Sequence, residues 1–175
     1  MKKIILSLVA ITLMSCDQNP SLQKYFVEKT ESSDFISVDV SPSIFNSKPE
    51  LLSAKEQKTM ESLKKMNVLA FKANEQNQGQ FDTERSKLNE ILKDEKYQQL
   101  MKFGSGKEGA AVYFVGKEDA IDEFVLYGNK KDSGFAVIRI LGENMNPEDF
   151  MVMLKAIQNS DIDMEQLKPL EGILK

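Results

Sequence analysis

The chain has 175 residues, 23 basic against 27 acidic for a formal charge of −4, a single cysteine, and neither histidine nor tryptophan. The missing imidazole excludes His-assisted serine and cysteine hydrolases, zinc sites built on histidine, and any side-chain base naturally poised near neutrality. An acidic balance argues against nucleic acid or an anionic lipid face as partner.

Met1-Lys2-Lys3 is a short positive start, and Ile4 through Met14 carries no charge. That run is too short for a helix crossing the hydrocarbon core, which needs about 20 residues, and it fits a secretory signal. Leu13-Met14-Ser15-Cys16 closes it. Leu13 three residues before the cysteine and Ser15 one before it resemble a bacterial lipobox. In such a segment cleavage falls between Ser15 and Cys16, and the Cys16 thiol takes a diacylglycerol. Two or three acyl chains then hold the protein at the membrane, at about 0.8 kcal/mol per buried methylene. Lipidation uses the one thiol, so disulfides, redox work and thiolate ligation are excluded as well.

Removing residues 1–15 takes Lys2 and Lys3 and leaves 160 residues, with 21 basic groups against 27 acidic. This length suits one domain with a sizeable core. The expected organisation is a signal peptide over 1–15, the lipidated cysteine and a polar tether over 16–20, and a single α+β domain over 21–175.

Asn19-Pro20 offers a cap and a first-turn proline for a short helix to about Lys29, with Leu22, Tyr25 and Phe26 as its stripe. Ile36, Val38 and Val40 alternate with polar residues as a half-buried strand stopped by Pro42. Ser53-Ala54-Lys55-Glu56 has capping-box spacing for a second helix carrying Met60 and Leu63. Asn67 is read as a break before a strand over Val68–Phe71. Asp82 is placed as the cap of a third helix with Leu88, Ile91 and Leu92 buried, and a further helical piece carries Tyr97, Leu100 and Met101 up to Gly104. Strands follow over Ala110–Val115, Ile121–Tyr127 and Phe135–Leu141. Asn146-Pro147-Glu148-Asp149 then opens a helix whose core face is Phe150, Met153, Leu154 and Ile157. The tail keeps Leu167, Leu170, Ile173 and Leu174. The order predicts an α+β two-layer sandwich: about five strands, mixed or mostly antiparallel, with helices on one face.

Asn19-Pro20-Ser21-Leu22-Gln23-Lys24-Tyr25-Phe26, Phe35 through Pro42, Val68-Leu69-Ala70-Phe71 and Tyr97-Gln98-Gln99-Leu100-Met101 form an ordered set. Together they resemble an uncharacterised family of small lipoproteins from Bacteroidota-type bacteria, domain of unknown function 4252. The resemblance implies an envelope address and no activity.

Several spacings imitate chemical motifs. Gly104-Ser105-Gly106-Lys107-Glu108-Gly109 spells the dinucleotide fingerprint but precedes a strand instead of opening a helix, so it reads as a helix cap and loop. Asp161-Ile162-Asp163-Met164-Glu165 begins like a calcium loop and then has Gln166 where glycine belongs and Gly172 where glutamate belongs. Ser21 with Lys24 and Ser62 with Lys65 lack the companion motifs of serine-lysine enzymes. Asp119, Asp122 and Glu123 cluster at a hairpin turn, where acids face water. No cofactor or metal site follows from these residues.

Arg139 interrupts the apolar row Phe135, Val137, Leu141. Buried, its guanidinium would demand a carboxylate and mark a site; on the wet sheet face it would sit in an exposed apolar patch suited to docking. The second reading makes Phe135, Val137, Arg139 and Leu141 the expected contact face. The function expected from sequence is a non-enzymatic, lipid-anchored interaction module of the cell envelope, facing the periplasm, with membrane lipid and an envelope protein as partners. The alternatives are a carboxylate-based enzyme acting on glycan or peptidoglycan, and a carrier of an apolar ligand.

Overall fold

Ser21, extended at φ −140° and ψ 155°, turns its hydroxyl back to accept the Lys24 N–H at 3.3 Å and so starts helix α1 (Leu22–Thr30). The cap is therefore Ser21, not the Asn19-Pro20 pair. The computed structural model describes residues 20–46, 52–105, 108–131, 133–158, 161–162 and 168. Ser15 and Cys16, residues 106–107 of the glycine loop, the Ile157 side chain and, Lys168 apart, the tail beyond Ile162 lie outside the described residues.

Strand β1 (Phe35–Val40) ends at a 3-10 turn over Pro42–Ile44, after which comes the short β2 (Phe45–Asn46). Helix α2 (Ala54–Ser62) opens with the expected capping box: Ser53 Oγ accepts the Glu56 N–H at 3.3 Å, and Glu56 Oε2 accepts the Ser53 N–H at 2.8 Å. Strand β3 (Leu63–Lys72) follows without a loop. Asn67 does not break the chain there. It lies mid-strand between Asp39 and Arg139, and its amide donates to the Asp39 carboxylate.

Helix α3 (Gln78–Ile91) begins before Asp82, which is an interior position and not the cap. The expected helical piece at Tyr97–Met101 is instead strand β4 (Gln98–Ser105), hairpinned to β5 (Glu108–Lys117). Spacing of a short apolar run fits both elements, and the pairing decides. Gly104, at φ +79°, faces Gly109 across this hairpin, and a Cβ on it would stand 2.6 Å from the Glu108 carbonyl oxygen. The glycines serve a strand-to-strand turn, not a helix cap. Strands β6 (Ala120–Lys130) and β7 (Gly134–Met145), helix α4 (Pro147–Gln158) and β8 (Asp161–Ile162) complete the chain. Asn146 Oδ1 caps α4 by accepting the Glu148 and Asp149 N–H groups at 3.0 and 3.2 Å.

The architecture is α+β, as expected. Six strands form the sheet in the order β1-β3-β7-β6-β5-β4, every neighbouring pair antiparallel, and β2 pairs with β8 apart from it. In one respect the arrangement differs: helices lie on both faces. Helices α1 and α3 pack on the face of Phe35, Leu69, Phe71, Val125, Phe135 and Val137. On the opposite face α2 and α4 lie over Val40, Met66, Phe114, Phe124 and Ile140. The physical reason lies in β7, where Phe135 and Val137 alternate with Ala136, Ile138 and Ile140. A strand apolar at both parities needs cover on both sides.

The first core is aromatic. Phe71 has Phe35 at 5.2 Å, Phe135 at 5.4 Å and Phe81 at 6.3 Å between ring centroids. In the second, Phe124 meets Phe150 at 5.5 Å. No described helix is long and apolar enough to cross a membrane.

Candidate functional site

The residues expected to form a contact face lie in the interior. Phe135, Val137 and Arg139 are 3%, 0% and 6% exposed, and Leu141 is half-buried. Their face of β7 is the one that α1 and α3 cover, so it is not an exposed docking patch. The sequence could not show this, because both parities of the strand are apolar.

Arg139 takes the other reading. Its Nε and Nη2 donate to Glu123 Oε1 and Oε2 at 2.6 and 2.9 Å, a two-pronged pair between β7 and β6. Nη1 donates to Gln23 Oε1 at 2.6 Å, and the guanidinium lies 5.4 Å from the Phe26 ring centre. Helix α1 therefore supplies an amide and an aromatic face to a charge held by the sheet. Glu123, grouped by sequence with the turn acids Asp119 and Asp122, is buried; only those two face water. Beside the pair, Tyr97 Oη accepts the Leu22 N–H at 3.0 Å, satisfying one of the unpaired donors at the helix start. Burial pushes the Tyr97 hydroxyl above its ordinary range.

A second polar cluster joins α1 to α3. Glu84, 5% exposed, accepts from Tyr25 Oη at 2.8 Å, Lys29 Nζ at 3.1 Å and Lys87 Nζ at 3.0 Å. Burial works against its ionisation, but the bonds from Lys87, Tyr25 and Lys29 outweigh it and hold the carboxyl below its usual range. The same cluster pushes Tyr25 far up, through burial first and then the Glu84 carboxylate. No sequence pattern marked Glu84, since the helical position of an acid does not reveal which cations will surround it.

Next to this cluster an open groove of about 560 Å³ runs between the two helices, floored by Tyr25 and Ile91 and entered at Pro20 and Ser21. Lys24, Glu28, Lys87 and Glu90 alternate in sign around it, so it carries no field favouring an ion of either charge.

Of the serine-lysine spacings, Ser21 is a helix cap, Ser62 Oγ donates to the Thr59 carbonyl at 2.7 Å, and Lys65 pairs with Asp39 at 2.7 Å. None faces a nucleophile partner. Among the described residues no three carboxylates or thiols gather as a metal cage.

Comparison with known proteins gives one match. The model of a family described as Domain of unknown function (DUF4252) matches residues 2–153. No curated protein and no solved structure matches the chain.

Proposed function

This chain belongs to the family of domains of unknown function 4252, and on that premise we propose that it is a lipid-anchored lipoprotein of the cell envelope, held by acylated Cys16 and facing the periplasm as a non-enzymatic interaction module. The observation that carries the reading is Leu13-Met14-Ser15-Cys16 at the end of the charge-free segment Ile4–Met14.

The buried carboxylates favour a binding module over the glycan-cleaving alternative. A glycosidase acid must hold its proton near neutrality, which requires a raised pKa. Glu84 is shifted the opposite way, and Glu123 is bound through both oxygens to Arg139. An apolar carrier would need room between sheet and helices. The packed rings of Phe35, Phe71, Phe81 and Phe135 occupy that layer beneath α1 and α3.

The test is metabolic labelling of the full-length precursor with an alkyne fatty acid, followed by membrane fractionation. Label and membrane retention are both expected for the natural chain and both lost on Cys16→Ser. Unchanged retention of Cys16→Ser, without label in either form, would overturn the anchor.

A further inference from the structure

Helices α2 and α4 cover one end of their sheet face only. At that end Val40, Met66, Phe114, Phe124 and Ile140 are buried with Phe150 and Met153. Toward the other end Ile36, Val38, Leu126, Ala136 and Ile138 point to the same face and are only half-buried. The register sets Ile36, Ala70, Ala136, Gly128, Ala110 and Phe103 in one row across all six strands. A Cβ built on Gly128 meets nothing within 4 Å, and Phe103 at the end of the row is 60% exposed. A hollow of about 360 Å³ opens along Gly128 and Ala136, with Lys130 at its rim.

The row is a trough. Small side chains at its centre are flanked by the larger Val38, Ile138 and Leu126 of the next row. Such a shape accepts the apolar ridge of a further chain segment.

We propose that this half-face is the docking surface for the chain's own C-terminal segment, residues 163–175. Three observations choose that occupant. Strand β8 pairs Ile162 with Phe45, one residue past Ile44, which is buried in the same core as the α4 residues. The chain is thus delivered to the edge of this face, beside β1. Thirteen residues follow Ile162; extended at about 3.3 Å each they reach about 43 Å, against about 24 Å for the width of six strands. Met164, Leu167, Leu170, Ile173 and Leu174 recur at three- and four-residue spacing, which gathers them on one side of a helix. Asp163, Glu165 and Glu171 supply negative charge to the end of the sheet where Lys130 and Lys131 stand exposed. The proposal is independent of the anchor at Cys16.

The test uses the full chain with Cys16→Ser, so that no native thiol remains. Ile138→Cys is combined with Leu170→Cys and oxidised mildly, beside a control pairing Leu170→Cys with Glu95→Cys, an exposed position beyond α3. An intramolecular disulfide forming about tenfold faster in the first pair is the expected result, as the high effective concentration of a docked segment requires. Equal rates in the two pairs would overturn the proposal. A dimer linked through Ile138→Cys would assign the face to a second copy and overturn it too. Because a cysteine could itself disturb docking, Leu170→Glu with Ile173→Glu gives a second reading. Release of the tail should raise the fluorescence of a bound anilinonaphthalene dye several-fold, and unchanged fluorescence would count against docking.

Discussion

Arg139 and Glu123 face each other across β7 and β6 with two hydrogen bonds of 2.6 and 2.9 Å, and neither side chain is more than about a tenth exposed. Gln23 reaches the same guanidinium from α1 at 2.6 Å. One charge pair thus ties the first helix to the two central strands, in a layer otherwise filled with aromatic rings. Its consequence for stability follows from desolvation. Both ions lost water on folding, and each is tolerable only while the other stands beside it.

Glu123→Gln or Arg139→Met alone should therefore lower the unfolding free energy by about 3–5 kcal/mol, because each leaves a buried charge uncompensated. The double variant Glu123→Met with Arg139→Met should lose less than the two singles together. Urea titrations of the four proteins give the coupling directly, and additive losses would show that the pair is not a unit.

Glu84 couples stability to acid. Its folded pKa lies below the ordinary 4.5, so its contribution is fully present above that value and declines as pH falls through the folded pKa. Glu84→Gln should cost about 2 kcal/mol near neutrality, since bonds from Tyr25, Lys29 and Lys87 lose their charge-assisted partner. The gap between natural chain and variant should close from near pH 4.5 downward. A gap that stayed constant in thermal melts down to pH 3 would contradict this assignment.

Two glycines separate backbone strain from helix propensity. Gly134 has φ +117°, and a Cβ there would stand 1.8 Å from the Phe71 carbonyl oxygen. Gly134→Ala should destabilise by about 1–3 kcal/mol or more, as the β3–β7 pairing must shift. Gly79 lies in α3 with nothing within 4 Å of its Cβ position. Gly79→Ala should stabilise by about 0.5–1 kcal/mol. Chemical denaturation of both variants reads the two signs in one experiment.

Phe71 is fully buried against three other rings, whereas Val27 is 66% exposed. Phe71→Ala should remove about 3–5 kcal/mol through the cavity it leaves. Val27→Ala should change stability by less than about 0.5 kcal/mol. Comparable losses at the two sites, measured as shifts in the urea midpoint, would show that α1 does not pack as described.

Local patterns carried much of this fold into view before any coordinates. The Ser53 capping box, the Asn146-Pro147 helix start and the last three strands of the meander are set by neighbours a few residues apart, so short-range chemistry specifies them. The α+β class follows from their order. Where the chain was ambiguous, remote pairing decided. Tyr97–Met101 carries an apolar spacing that serves a helix or a strand, and β5 made Gln98–Ser105 a strand.

The sequence by itself determined the elements, the α+β class and the family, because these rest on periodicity, caps and ordered motifs that survive in one dimension. Only the tertiary structure decided which parity of β7 lies under α1 and α3, that Arg139 is buried on Glu123, and that the opposite face is half open. Both parities of that strand are apolar, so composition gives no preference between its sides. The choice is made by helices and carboxylates brought from distant parts of the chain.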